Sequence, residues 1–167
     1  MSSELSEICF YRNERIATNT LNNRTYVSTE NMLPDKGGIT YASSLPTVSQ
    51  TPKFKRGDTL VSNIRPYFKK IWFAKYDGGC SNDVLVFQVK DDVDPKFLYY
   101  VLSNDSFFAY STATSKGTKM PRGDKNSIMQ YQIVMVDLLT QEKIAAILSA
   151  LDDKIELNKR INDNLAA

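Results

Sequence analysis

The side chains of this chain best placed to do chemistry are cations on turn-rich segments, and the chemistry they suit is the binding of anions. The run Ser115-Lys116-Gly117-Thr118-Lys119-Met120-Pro121-Arg122 sets three cations around a glycine that lets a backbone approach a ligand closely. Lysine and arginine there can neutralise phosphates, and an arginine fork can hold guanine O6 and N7 together. The candidates are Lys116, Thr118, Lys119, Arg122 and, just beyond, Lys125; a solvated surface loop is the competing reading. A nucleotide-binding P-loop needs Gly-x-x-x-x-Gly-Lys-Ser/Thr, and that spacing is absent.

A second group is Asn63, Arg65, Lys69 and Lys70. Arg65 follows a strand-like segment and precedes Pro66, so a turn can aim it at a groove while Lys69 and Lys70 meet the backbone. Pairing of Arg65 with an internal carboxylate is the alternative. Tyr67 and Phe68 interleave with these charges and are read as core residues before base-stacking ones. Ser28, Thr29, Glu30 and Asn31 make a polar loop whose side-chain types read bases or bind phosphate, and equally build ordinary turns.

Charge distribution agrees with a local anion site. Net charge is only +2, yet Lys53 to Lys70 holds six cations against Asp58, and Ser115 to Asn126 holds four against Asp124. Asp137 to Glu156 reverses the balance, with five acids and two lysines. One face for phosphates and another for a protein partner fits that split.

Other chemistries are poorly served. The chain has no histidine, which removes Ser-His-Asp and Cys-His catalysis and the commonest general base. Cys9 and Cys80 stand alone and read as reduced thiols, so no metal site is expected. Asp152-Asp153-Lys154 contains an Asp-x-Lys fragment found in some nucleases, but it sits in a helical pattern and reads as surface charge. No apolar run or signal-like start appears, so the expected address is cytoplasmic, away from membranes.

These groups must be positioned by a mixed scaffold. Turn residues crowd the first fifty positions, and strand-like segments follow at Thr59–Ile64, Lys70–Tyr76, closed by Asp77-Gly78-Gly79, and Asp83–Val89. Asp94 and Pro95 start a helix, Asp105 is the expected cap of a second, and Tyr131–Val136 is a last strand. From Leu138 onward there is neither Gly nor Pro. Ile144, Leu148, Leu151, Ile155, Asn158, Asn162 and Leu165 fall on one 3-4 seam, heptad-like with polar breaks. Such a stripe packs on its own domain or on a partner. The expected fold is therefore α+β: a mixed β-sheet domain with short helices over residues 1–137, then a long coiled-coil-type helix over 138–167.

Four blocks resemble the type I restriction-modification specificity subunits: Tyr26–Pro34, Gly57–Tyr67, Thr114–Arg122 and Gln141–Asn158. The first three look like parts of a target-recognition domain and the fourth like the start of a conserved spacer helix. Their order and spacing agree along nearly the whole chain, although the Pro-rich stretch usual before Gln141 is missing. The resemblance implies one recognition domain and one helix, a half-subunit that reads half of a split site on duplex DNA. It implies partners too: a modification subunit using S-adenosylmethionine, a restriction subunit using ATP and Mg, and a second copy or second half paired through the helix. This chain would hold no cofactor and no catalytic residue. A small nuclease or a protein-interaction module are the rival readings.

Overall fold

Alternation of apolar side chains sets the centre of the molecule. The computed structural model describes residues 1–167. Its strands are β1 (Ser2–Glu4), β2 (Cys9–Tyr11), β3 (Arg15–Ala17), β4 (Tyr26–Val27), β5 (Gln50–Phe54), β6 (Thr59–Ser62), β7 (Ile71–Phe73), β8 (Gly78–Cys80), β9 (Val84–Val89) and β10 (Gln132–Val134). Its helices are α1 (Pro95–Leu102), α2 (Asp105–Ala113), α3 (Lys125–Met129) and α4 (Leu138–Ala166). The α+β class with a long terminal helix is as expected.

Strands β2, β9, β6 and β7 form an antiparallel sheet in that order. Side chains alternate across a strand, so Val61, Ile71, Leu85 and Phe87 enter one core and Leu60, Trp72, Val84 and Val86 another. The first core is closed by α1 and α2 through Leu98, Leu102, Phe107 and Phe108, none more than 1% exposed. The second is closed by a sheet ordered β3-β5-β8-β4, through Val27, Phe54 and Cys80. Burial on both faces explains why Val84–Phe87 is a continuous apolar run. Each such side chain contributes roughly 1.5–3 kcal/mol.

Several local expectations change. Gly78 and Gly79 do not close a strand; with Cys80 they are β8, paired antiparallel with β5 and parallel with β4. A Cβ on Gly78 would lie 2.3 Å from the Thr25 carbonyl oxygen and 2.6 Å from the Phe54 ring, so only glycine fits. Asn104, not Asp105, caps α2: its side chain accepts from the Ser106 N–H. Asp105 takes the first helical position instead. Asp124 caps the unexpected α3, accepting from the Asn126 and Ser127 N–H groups. The last strand, β10, pairs with β1, joining the chain's first residues to the approach of α4.

Helix α4 starts at Leu138, where the Asp137 side chain accepts the Thr140 N–H at 2.7 Å. Its 29 residues make a rod of about 43 Å. Gln141 is fully buried: its Nε2 donates to the Val136 carbonyl at 2.8 Å and its Oε1 accepts the Asp94 N–H at 2.9 Å. The rod is thereby pinned to the N-terminus of α1. Ala145 is buried on the same face, and the Tyr100 hydroxyl donates to Asp152 at 2.6 Å. That bond gives the Asp152 carboxylate a structural task. Beyond Asp152 every residue of α4 is exposed. No helix is long and apolar enough to cross a membrane.

Replacement Gln141→Ala removes both bonds and leaves the Asp94 N–H and Val136 carbonyl without partners. Urea unfolding should show a loss of about 2–4 kcal/mol, with a change no larger than that of an exposed-site control counting against the pin.

Candidate nucleic-acid interface

Strand β6 runs past the end of its sheet, and its overhang collects the loops. The Asn63 N–H donates to the Asp83 carbonyl at 2.8 Å, and the Arg65 N–H to the Pro121 carbonyl at 2.8 Å. Gly123 N–H returns a bond to the Asn63 carbonyl at 3.0 Å, while Lys116 and Arg122 exchange backbone bonds of 2.9 Å each. The basic run 115–122 is thus a small backbone-bonded loop stapled to the overhang.

The next turn is fixed as firmly. Pro66 begins a 3-10 turn, Pro66–Phe68, flanked by Arg65 at φ 49° and Lys69 at φ 53°. Left-handed backbone at two non-glycine residues costs about 1 kcal/mol or more each and persists only where neighbours hold it. Here they do: the Asp35 N–H donates to the Phe68 carbonyl and the Lys36 N–H to the Lys69 carbonyl, both at 2.8 Å. Lys70 Nζ donates to the Thr29 carbonyl at 2.7 Å. Segments 29–36, 63–70 and 115–123, distant in sequence, form one surface.

The individual candidates fall into different roles. Lys119 and Thr118 are exposed at the loop tip beside Gly117, whose φ is 100°. Arg65 finds no carboxylate; its guanidinium reaches the Lys119 carbonyl at 3.4 Å. Arg122 pairs with Asp83, and Lys116 with Asp124 at 2.9 Å. Lys69 shares Asp105 (3.1 Å) with Lys36 (2.9 Å), a cation that sequence reading passed over. Lys125 faces away from these loops, its Nζ over the Tyr11 ring and its carbonyl accepting the Tyr11 hydroxyl.

Ser28, Thr29 and Asn31 divide as well. Asn31 is buried, its Nδ2 donating to the Tyr26 and Thr40 carbonyls and its Oδ1 accepting from the Ser28 N–H and hydroxyl. Expected as a DNA contact, Asn31 instead serves the loop, because every polar atom of its amide is occupied. Ser28 and Thr29 edge a polar cleft of about 450 Å³, together with Glu30, Tyr41, Ser44 and Asp83. Tyr67 and Phe68, expected in the core, are 46% and 40% exposed. Only Pro66 of that turn is buried, because α2 lies under the turn and leaves the two rings above it.

Electrostatics follow this pairing. The two ammonium groups of Lys36 and Lys69 hold the Asp105 carboxyl below its ordinary value. Lys116, aided by the Ser127 N–H, lowers Asp124 to about 2. A depressed carboxyl stabilises the fold above its ordinary 3.8 and loses that contribution as pH falls towards 2. The lone acid of the Lys53–Lys70 run does not offset the surface, since Asp58 is buried against Arg12 at 2.6 Å. Burial pushes the Cys9 and Cys80 thiols up to about 12, so both stay protonated.

A family model described as the type I restriction modification DNA specificity domain matches residues 1–167. The chain is similar to the type I restriction enzyme HindI specificity subunit of Haemophilus influenzae, 29% identical over 170 residues, which covers 96% of this chain and 37% of that protein. It is also similar to the EcoDI specificity subunit of Escherichia coli, 27% identical over 117 residues, covering 68% and 26% respectively. In fold it resembles the crystal structure of the HsdS subunit from Thermoanaerobacter tengcongensis, with a TM-score of 0.72 at 20% identity, over 96% of this chain and 44% of that one. The chain spans less than half the length of each of these relatives.

The staple has a steric test in Gly123. A Cβ there would meet Asn63 Oδ1 at 2.5 Å and Ile128 Cδ1 at 2.9 Å. Gly123→Ala should destabilise the fold by about 1–3 kcal/mol and speed hydrogen exchange at the Lys116 and Arg122 amides; unchanged exchange at both would refute the staple.

Proposed function

The chain belongs to the type I restriction modification DNA specificity family, and from that we propose that it reads one half of a split site on duplex DNA through the surface formed by segments 29–36, 63–70 and 115–123. The observation that carries this is the backbone zipping of two cationic loops, 63–70 and 115–123, and a third segment, 29–36, into one surface. Free loops would lose ordering entropy on binding; these are already ordered. Arg65, Lys70 and Lys119 are the cations of this surface without carboxylate partners; Lys70 is tied to the Thr29 carbonyl, so Lys119 and Arg65 make the first phosphate contacts. Arg122 is held at the loop's base by Asp83, which suits a base-reading fork released when guanine offers a better acceptor pair.

In this reading the chain itself is non-catalytic, acts in the cytoplasm and carries no cofactor. Methyl transfer from S-adenosylmethionine to a flipped adenine belongs to a modification subunit, and ATP- and Mg-dependent cleavage to a restriction subunit. Helix α4 is the dock. At about 100° per residue its own-domain face (Gln141, Ala145, Ser149, Asp152) lies roughly a quarter turn from the seam of Ile144, Leu148, Leu151, Ile155, Asn158, Asn162 and Leu165. Ile144 and Leu148 are half-buried, whereas Leu151 and Ile155 are each 52% exposed and Leu165 80% exposed, so the seam from Leu151 onward is free to pack on a second copy or second half, antiparallel, and on the modification subunit. Asn158 then sets the register.

Methylome sequencing of cells carrying this chain with a modification subunit should return a bipartite adenine motif; methylation without any sequence pattern would refute the reading. Lys119→Ala should lower the salt slope of duplex binding by about one unit, and Asp83→Asn, which frees Arg122, should raise non-specific affinity and steepen that slope by about one. Equal slopes in all three proteins would contradict the assignment of the loop. Ile155→Asp should reduce the sedimentation mass of the assembled complex; an unchanged mass would clear the seam of that role.

A further inference from the structure

The cations of the reading surface surround an apolar feature that phosphate binding does not use. Tyr67 and Phe68 stand 46% and 40% exposed between Arg65 and the pair Lys69-Lys70. Their rings meet edge-to-face, with centroids 4.9 Å apart and planes inclined at 63°. The turn beneath is fixed by buried Pro66, by left-handed Arg65 and Lys69, and by bonds to the 35–36 backbone. Exposing two aromatic rings on so rigid a turn invites a partner, and the surrounding charge says the partner is a polyanion.

Three apolar features of DNA are open to such a pair, and geometry decides among them. An opened base step receives one flat ring, whereas rings at 63° cannot both lie parallel to bases. The Lys70 ammonium also lies 5.8 Å from the Phe68 ring centroid, so a face that a base would stack on is already taken by a cation. Edge-to-face rings at this separation span on the order of 10 Å with their van der Waals envelopes. The minor groove, about 6 Å wide, excludes them, and the major groove, about 12 Å wide, admits them. The apolar group displayed on base edges in the major groove is the C5 methyl of thymine.

We infer that Tyr67 and Phe68 form a rigid apolar head that selects thymine by its methyl group within the half-site this domain reads. The inference rests on the DNA-reading function proposed above and adds to it the chemistry of one specificity contact. Lys69 exchanges Asp105 for a flanking phosphate, while Lys70, bonded to the Thr29 carbonyl with its Nζ 5.8 Å from the Phe68 ring centroid, fixes that ring in place. Replacing either ring by a polar side chain removes selection at that base and leaves the phosphate contacts in place.

The test uses the full chain assembled with its modification subunit and the duplex motif found by methylome sequencing. Deoxyuridine replaces each thymine singly, which deletes a methyl and keeps every hydrogen-bonding group. One or two positions should lose about fourfold in affinity, the equivalent of one apolar carbon. Tyr67→Ala or Phe68→Ala should bind thymine and uracil duplexes alike at those positions, while Phe68→Leu should keep part of the preference. The wild-type uracil scan stands whether or not a variant folds, and thermal unfolding checks each variant. A scan with no sensitive position, sensitivity unchanged in both alanine variants, or a rise in fluorescence of a 2-aminopurine placed beside a sensitive thymine and away from the methylated adenine, showing an opened step there, would overturn the inference. Loss of all sequence preference would sink the DNA-reading function and this inference with it; retained preference with a flat scan sinks the inference alone.

Discussion

The surface proposed to read DNA depends on the backbone of β6 being longer than the sheet that contains it. Thr59–Ser62 is buried between two cores, so its position is set by apolar packing on both sides. The next three residues leave the sheet with N–H and C=O groups that still need partners. Asp83, Pro121 and Gly123 supply them. A loop bonded to such an overhang inherits the rigidity of the core. Ordering a free backbone costs about 1–2 kcal/mol per residue, and here that cost is met in folding and not at the moment of binding.

The same surface is more nearly neutral than its lysines and arginines suggest. Lys36 and Lys69 share Asp105, Lys116 has Asp124, and Arg122 has Asp83. These carboxylates come from α2, from the α3 cap and from the turn before β9, so the pairing is tertiary. Exposed pairs of this kind contribute little stability, about 0–1 kcal/mol each. Their consequence is for binding. A cation already paired gains less from a phosphate at random than from a site that replaces its partner fully, which favours discrimination over bare affinity.

Sequence pattern reached the elements whose causes are local. Apolar, strand-like runs bounded by turn residues marked β6, β7 and β9; Asp94-Pro95 marked α1; and the Gly- and Pro-free stretch after Asp137 marked α4. What it missed was decided elsewhere. Gly78-Gly79 has the composition of a turn and forms a strand between β5 and β4, where the Thr25 carbonyl and Phe54 ring at Gly78, and Leu21 and Thr51 at Gly79, leave room only for glycine. Asn31 has the composition of a reader and is an internal brace because the 26–40 loop closes around its amide. Tyr67 and Phe68 have core composition and are exposed because Pro66 takes the buried position of their turn. The cationic segments themselves were visible in the sequence, but nothing in the spacing revealed that Lys36 joins them or that Lys125 turns away to Tyr11. The family resemblance covered neighbouring blocks: backbone bonds join the second and third at Arg65 and Pro121, and join residues 35–36, just past the first block, to 68–69, just past the second.

The reading loops and the long helix are connected by few joints. The overhang of β6 carries the loops, α1 packs on β6, β7 and β9, and α4 packs on α1. Each step is closed by a specific contact: the β6 backbone bonds, the buried Leu98 and Leu102, then Gln141 on the N-terminus of α1 and Tyr100 on Asp152. Where the helix leaves this support, after Asp152, its apolar seam becomes free. A mixed domain that merely bound DNA would need no such path. With it, the distance and angle between the loops and whatever grips Leu151, Ile155 and Leu165 are set by packed cores and buried amides, which is the geometry that the proposed function asks of a reader serving a separate enzyme.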